Sequence, residues 1–133
     1  MVEVIFVIVV LGILAAIALP KFSGVVGDAY VSKAQSQVAA VRSGISNFRS
    51  EQLLKGADTL YPASLDNSKL FDVVSSGVTS GTDVGEWSSS VNNTYIFKTS
   101  NGDIVFNYDS TTGNFECNKT ASYSATICDR FTN

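Results

Sequence analysis

Residues 3–22 read EVIFVIVVLGILAAIALPKF, and the sixteen residues from Val4 to Leu19 form an unbroken run without a charge. As an α-helix this run rises roughly 24 Å, slightly less than the ~30 Å hydrocarbon core of a bilayer. The residues before it bring the helix close to spanning length. Apolar side chains circle every face of the helix, and a small domain has no room to cover them all. We therefore expect residues 1–20 to form a transmembrane helix that later packs into another apolar environment.

Two other interpretations of this segment fit less well. A cleaved signal peptide has a basic region before its apolar core and a small-residue cleavage site after it, and neither stands here. A buried core helix needs apolar partners around its whole circumference. The choice also depends on Glu3, because a carboxylate at the edge of an apolar helix is costly to bury and normally has a partner or a function. The simpler alternative is that Glu3 only marks the cytoplasmic boundary of an anchor.

The segment closely resembles the N-terminal signature of type IV pilins and type II secretion pseudopilins. About twenty contiguous positions match, including Glu3, Gly12, the Ala15-Ala16 pair and Pro20 at the family's mutual spacing. The resemblance implies a subunit that polymerises through this helix, with Glu3 paired to the N-terminal amine of a neighbouring subunit. It also implies that the section between Gly12 and Pro20 unwinds in the assembled filament.

The sequence departs from the family pattern at its start. In that family a Phe-Thr pair, or a similar pair, stands before the residue that matches Met1, and cleavage of a short basic leader exposes the Phe. We expect those residues to precede Met1 in the complete protein; the alternative is that Met1 is itself the processed end in a shortened register. The methylated amine of the family is therefore assigned to no residue here.

Gly12 and Pro20 bracket the weakest section of the predicted helix. Glycine is a poor helix former, and proline removes a backbone donor and clashes with the preceding turn. In lipid the backbone must stay hydrogen-bonded, which predicts a kinked but continuous helix in the single subunit.

A second pattern follows Pro20. Apolar residues recur at spacings of three and four, which predicts the core face of an amphipathic helix over about residues 21–55, with Gly56 near its end. The charged residues beside this stripe, Asp28, Lys33, Arg42, Arg49 and Glu51, are expected to be solvated or to contact other subunits. The residues of the stripe are Val31, Ala34, Val38, Val41, Ile45 and Phe48.

The remainder predicts a small β-sheet, and thus an α+β fold in which a long helix packs on an antiparallel sheet within a domain of residues 21–133. We expect a loop over residues 56–93, with Trp87 covering the edge of the core. Residues 94–133 predict a three-stranded meander and a disulfide region, because Asn101-Gly102 between two β-rich runs is a strong hairpin signal. A short fourth strand is considered near Tyr123 to Ile127.

Cys117 and Cys128 form an even pair in a small domain, which fits a disulfide and an oxidising compartment; a free pair is the alternative. In the resemblance this is the disulfide-bounded C-terminal region of pilins. Two N-x-T triplets, beginning at Asn118 and Asn92, are candidate glycosylation sites, although such triplets are common by chance. Glu116, two residues before Asn118, resembles the acidic acceptor context of bacterial N-glycosylation.

Composition argues against several classes of function. The chain has 133 residues, a formal net charge of −3, a pI near 4.7 and no histidine. No basic run offers a nucleic-acid footprint, and no catalytic or metal motif appears, so we expect no enzyme, no cofactor and no bound metal.

The resemblance implies a major pilin of a type IV pilus. Its partners would be copies of itself, a prepilin peptidase and the pilus or secretion assembly machinery. The subunit would occupy the bacterial inner membrane before assembly and an extracellular pilus afterwards. The alternatives are the major pseudopilin of a type II secretion system, in a periplasmic pseudopilus, and a membrane-anchored minor adhesive subunit.

Overall fold

A computed structural model describes residues 1–132, and for residues 19–23 it describes the backbone alone. The first element is the α-helix α1, Val2–Lys55, whose 54 residues extend over about 80 Å at ~1.5 Å per residue. It ends where Gly56 adopts the left-handed conformation at φ 66°. There the Gly56 N–H donates to Leu53 O and the Ala57 N–H donates to Gln52 O, which satisfies carbonyls of the last turn.

The second layer is a four-stranded antiparallel sheet in the order β1-β2-β3-β4. The strands are β1 Trp87–Ser90, β2 Thr94–Thr99, β3 Gly102–Asp109 and β4 Asn114–Cys117. A 3₁₀-helix, Ala125–Phe131, follows the sheet. The expectation of an α+β fold is therefore confirmed at the level of one N-terminal helix and one antiparallel sheet.

The Asn-Gly signal lies in the predicted hairpin. Thr99 pairs with Gly102, so Ser100 and Asn101 form a two-residue loop between β2 and β3. Gly102 has φ 137°, where a side chain would also overlap Tyr123. The Thr99 hydroxyl donates to Gly102 O at 2.7 Å and closes the turn.

The core lies between α1 and the inner face of the sheet. From α1 it takes the predicted stripe, of which all members but the half-buried Phe48 are buried. From the rest of the chain it takes a cluster of aromatic rings, several in edge-on contact. These rings belong to Phe71, Trp87, Tyr95, Phe97, Phe106, Tyr108, Phe115 and Phe131.

Two details of the predicted β region were wrong. Trp87 begins strand β1 and is fully buried, so the stretch expected to be a loop supplies the fourth strand. Its indole N–H donates to Gln37 Oε1 on α1 at 2.9 Å, which anchors the strand. Residues 123–127 form no strand, because from Ala125 the chain turns into the 3₁₀-helix that packs Ile127 and Phe131 inward.

The expected membrane span was also wrong. Within the described residues, no helix combines the length and the apolar character that crossing a membrane requires. The sixteen-residue run from Val4 to Leu19 rises only roughly 24 Å, against a hydrocarbon core of ~30 Å. Extending it toward the N-terminus would place the Glu3 carboxylate in hydrocarbon, which is costly. The prediction of an inner-membrane anchor, and the localisation derived from it, is therefore corrected.

Candidate functional site

The most unusual surface of the protein is the first part of α1, the segment Val2–Ala18, which we call the stem. Every stem residue is exposed. Its large apolar side chains are between 37% exposed at Val10 and 79% exposed at Val2, all around the helix. Contiguous apolar patches of this extent are rare on monomeric proteins and mark interaction surfaces. The exposed apolar character continues past the stem at Val25 and Val26.

The stem sequence makes a poor helix on its own account. It is rich in valine and isoleucine, whose branched side chains lose rotamer freedom in a helix. Most helical stability in proteins comes from packing of an apolar face, and none of the residues that the structure describes packs on the stem in this way. The stem therefore needs an apolar partner both to bury its surface and to hold its helix.

The size of the effect can be gauged from the side chains. Complete burial of one large aliphatic or aromatic side chain contributes about 1.5–3 kcal/mol, and roughly half of that is still available to a half-exposed residue. Summed over the twelve large apolar side chains from Val2 to Ile17, burial would contribute on the order of 10 kcal/mol. That is comparable to the free-energy cost of association, about 4–15 kcal/mol, so several such contacts per chain favour assembly.

Glu3 lies in the first turn of α1 and is exposed. Its position is favourable there, because a carboxylate in the first turn interacts well with the positive end of the helix dipole. Its side chain forms no hydrogen bond with another residue of the described chain. Burial of the stem would bring this carboxylate into apolar surroundings, where it requires a hydrogen-bonded or charged partner.

The helix is continuous through Gly12, and a Cβ at this position would meet no atom within 4 Å. Among the described residues, therefore, no neighbouring atom requires a glycine at position 12. The side chain of Pro20 lies outside the described residues, so its predicted role in a weak section stays a prediction. Unwinding of this section concerns an assembled filament and also stays a prediction.

The stem joins the domain where Gly27 is buried close to Ser100 and Asn101 of the β2–β3 turn. From there onward, polar residues of α1 fix the domain to the helix. Lys33 Nζ donates to Gly85 O at 2.8 Å, and Arg49 lies over the ring of Tyr61. Both residues are exposed, which agrees with the solvated role that the sequence predicts, and each also contacts a loop distant along the chain.

Arg42 makes the most extensive of these contacts. Its Nε donates to Phe115 O at 3.0 Å and its Nη1 to Phe131 O at 2.8 Å, so one guanidinium joins α1, β4 and the 3₁₀-helix. Gln35 donates to Arg130 O at 2.7 Å, and Arg130 pairs with Asp28 at 2.9 Å. No sequence pattern marks these partners, because each is a main-chain carbonyl or a charge between 73 and 102 residues away along the chain.

Cys117 and Cys128 form a disulfide between β4 and the 3₁₀-helix, as predicted. The enclosed loop is organised by the buried Ser122. Its hydroxyl donates to Asn118 O at 2.7 Å and accepts from the Val105 N–H at 3.0 Å. Arg42, Phe115, Cys117, Lys119 and Phe131 contribute to the lining of an open groove of about 510 Å³ beside the disulfide.

The two candidate glycosylation sites differ in their surroundings. Asn92 lies at the exposed tip of the β1–β2 hairpin. Asn118 is half-buried in the disulfide loop, and its Oδ1 accepts the N–H groups of Thr120 and Ala121. Among the described residues, no group of three or more His, Cys, Asp or Glu side chains is placed to hold a metal ion.

Comparison with known proteins adds no relative: the chain matches no protein-family model, no curated protein and no solved structure.

Proposed function

We propose that this chain is a type IV pilin-like structural subunit, which polymerises into a helical filament by burying its stem among the stems of other copies. The observation that carries the proposal is that every residue of Val2–Ala18 is exposed, on a helix segment that no other part of the described chain covers. Twelve exposed large apolar side chains represent on the order of 10 kcal/mol of unused burial. A second copy offers a surface of the same length and character.

The layout of the chain supports the same proposal. A pilin-like subunit has a long helix whose first half is hydrophobic and whose second half packs on a small antiparallel sheet, in the shape of a lollipop. Here the second half of α1 supplies the buried stripe and the sheet supplies the aromatic cluster. The disulfide closes the last part of the domain. The signature of residues 3–22, with Glu3, Gly12 and Pro20, is the sequence support for this family.

In the proposed filament Glu3 sets the axial position of each subunit. A carboxylate in an apolar core is strongly disfavoured unless it is paired, so an arrangement that pairs Glu3 with a neighbour's N-terminal amine is preferred over others. The pairing of Glu3 with the amine thus selects one axial offset between neighbouring subunits, while burial of the apolar side chains supplies the affinity.

The test compares the full chain with a charged stem variant in detergent-free buffer. Ile8→Glu places a carboxylate in the middle of the stem and is expected to leave monomers, because it would be buried without a partner. Ser43→Glu adds the same charge to an exposed position of α1 within the domain and is the matched control. Sedimentation velocity and negative-stain electron microscopy are expected to show filaments of the unmodified chain and of Ser43→Glu. A monodisperse full-length monomer in plain buffer would refute the proposal.

The role of Glu3 is tested separately. Glu3→Ala is expected to give a folded chain that associates but forms few ordered filaments, since burial stays favourable while the register is lost. Glu3→Asp, which keeps the charge on a shorter side chain, is expected to retain part of the filament yield. Circular dichroism establishes folding, and filament yield is counted by electron microscopy. Normal filaments from Glu3→Ala would contradict the pairing role.

The major pseudopilin of a type II secretion system is the nearest alternative, because it uses the same helix. The disulfide and the polar, Ser/Gly/Thr-rich stretch before β2 favour the pilin. Filament length distinguishes the two: a pilin forms long fibres made chiefly of this chain, whereas a pseudopilin forms short ones.

A further inference from the structure

The tip of the β1–β2 hairpin projects from the domain as a small polar loop. Ser90 pairs with Thr94, so Val91, Asn92 and Asn93 form a three-residue connection. Both asparagines adopt the left-handed conformation, with φ 61° and 55°, which asparagine tolerates better than most residues. Val91 is 77% exposed and Asn92 is exposed beside it.

The loop presents the acceptor triplet Asn92-Asn93-Thr94. The middle residue holds the loop in place: Asn93 Nδ2 donates to Ala63 O at 3.0 Å, and Asn93 O accepts the Tyr108 N–H at 3.0 Å. The two residues that an N-glycosylation acceptor requires, the first asparagine and the hydroxyl two positions later, form no side-chain hydrogen bond with any residue that the structure describes. Asn92 is exposed and Thr94 is half-buried, so neither side chain would have to give up a hydrogen bond within the described chain to be recognised.

Asn118, the other acceptor, is engaged in the fold. Its Oδ1 accepts from Thr120 N at 3.0 Å and Ala121 N at 3.1 Å, and its main chain bonds to Val105 and Ser122. Asn118 stands next to Cys117, so the disulfide fixes this conformation. Asn118 is half-buried, and turning its amide toward a glycosyl donor would break the two hydrogen bonds that Oδ1 accepts.

From this contrast we propose that Asn92 is an N-glycosylation site and that Asn118 is unmodified. The donor would be an oligosaccharide linked through pyrophosphate to a lipid carrier. A bond forms between Asn92 Nδ2 and the anomeric carbon of the first sugar, and the bond from that carbon to the pyrophosphate oxygen breaks. The carrier pyrophosphate leaves with the electron pair, and Nδ2 loses one proton. The disulfide indicates passage through an oxidising compartment, where such modification of surface asparagines occurs.

The test uses the full chain isolated from the cells that naturally make it. Trypsin cleaves after Lys69 and Lys98, and again after Lys119, so after reduction the peptide 70–98 carries Asn92 and the peptide 99–119 carries Asn118. Tandem mass spectrometry is expected to find the first peptide heavier than its sequence by at least one sugar residue. The second peptide is expected at its sequence mass.

Three variants separate this assignment from other modifications. Asn92→Gln and Thr94→Val are each expected to return peptide 70–98 to its sequence mass, whereas Asn118→Gln is expected to leave the sugar in place. A sugar on a serine of the same peptide would persist in Asn92→Gln and would overturn the assignment. An unmodified peptide 70–98 in the natural protein, or a sugar on peptide 99–119, would overturn it as well.

Discussion

Single residues in this protein organise loops by concentrating several hydrogen bonds on one group. Asp72 is the clearest case, since its carboxylate accepts the N–H groups of Asn67, Ser68 and Lys69 and the Ser68 hydroxyl. Partial desolvation raises the pKa of Asp72, but the bonds from Lys69, Ser68 and Asn67 outweigh it and lower the pKa from 3.8 to about 2. The charged carboxylate is therefore the form that holds the 67–72 loop together.

This gives a prediction for acidic pH. Because the pKa of Asp72 in the folded chain lies below its unfolded value, its contribution to stability is present above about pH 4 and is lost as the pH falls through about 2. Asp72→Asn is expected to melt at a lower temperature than the unmodified chain at pH 5, with a smaller difference at pH 2. Thermal unfolding in the Ile8→Glu background, followed by circular dichroism, provides the measurement. A difference that is constant between the two pH values would contradict the role of the charge.

Sequence patterns find side chains at this scale only when the partner is close along the chain. The turn at Asp109 is an example, because its carboxylate bonds to Thr111 and Thr112 within four residues. Arg42 is the opposite case. Its sequence context suggests an exposed charge, and its two carbonyl partners become neighbours only when β4 and the 3₁₀-helix pack on α1.

At the scale of elements, α1 approaches the loop before β1 so closely that Gly44 has no space for a side chain. A Cβ at Gly44 would overlap the main-chain carbonyl of Val74. Gly24, on the same helix, is exposed and has no atom within 4 Å of such a Cβ. The two glycines are thus a matched pair on one element.

Gly44→Ala is expected to reduce the free energy of unfolding by about 1–3 kcal/mol, because the helix must shift away from the loop. Gly24→Ala is expected to leave stability unchanged or to raise it by about 0.5–1 kcal/mol, because alanine is the better helix former. Urea denaturation in the Ile8→Glu background measures both. Equal effects of the two substitutions would show that the contact with Val74 does not limit the packing.

The disulfide between Cys117 and Cys128 also links two elements, because it joins β4 to the 3₁₀-helix. The double variant Cys117→Ser, Cys128→Ser opens a loop with a sequence separation of 11, and we expect it to lose about 2–3 kcal/mol of stability. Urea denaturation measures this loss of stability. The control is the unmodified chain with its disulfide reduced, which we expect to unfold at the same urea concentration as the double variant. An unchanged midpoint in both would mean that Arg42 and Ser122 alone suffice to hold the C-terminal segment.

Element prediction from the sequence succeeded where periodicity was strong. The helical stripe from Val31 to Ile45 is buried as expected, and the Asn101-Gly102 turn connects two strands. Strand β1 was not found because Ser88, Ser89 and Ser90 carry no β-strand signal. The strand exists through its pairing with β2 and the burial of Trp87, both of which depend on tertiary structure.

At the scale of the whole molecule, the core contains tyrosines whose ionisation would destabilise the folded state. Burial raises the pKa of Tyr95 to about 12, and the negative charge of Asp66 adds to the increase. Burial also raises the pKa of Tyr108 to about 12, with Asp109 and Tyr61 contributing. The Tyr108 hydroxyl donates a hydrogen bond to Pro62 O, and only the neutral hydroxyl carries the proton that this bond requires.

A raised pKa in the folded state means that stability is fully present below about pH 10 and is lost as the pH rises through about 12. The domain is therefore expected to unfold cooperatively in this range. Tyr95→Phe removes one titrating group and is expected to move the alkaline midpoint to higher pH. Near-ultraviolet circular dichroism during a base titration measures the transition, and an unaltered midpoint in Tyr95→Phe would contradict the assignment.

The contact of Arg42 with Phe131, 89 residues further along the chain, also bears on the timing of folding. During synthesis the long helix emerges first, while Phe131, a member of the core that packs on it, is still untranslated. Contacts of such high sequence separation form late and slowly. During most of its translation the nascent chain therefore exposes the apolar face of the helix before the residues that cover this face have been synthesised.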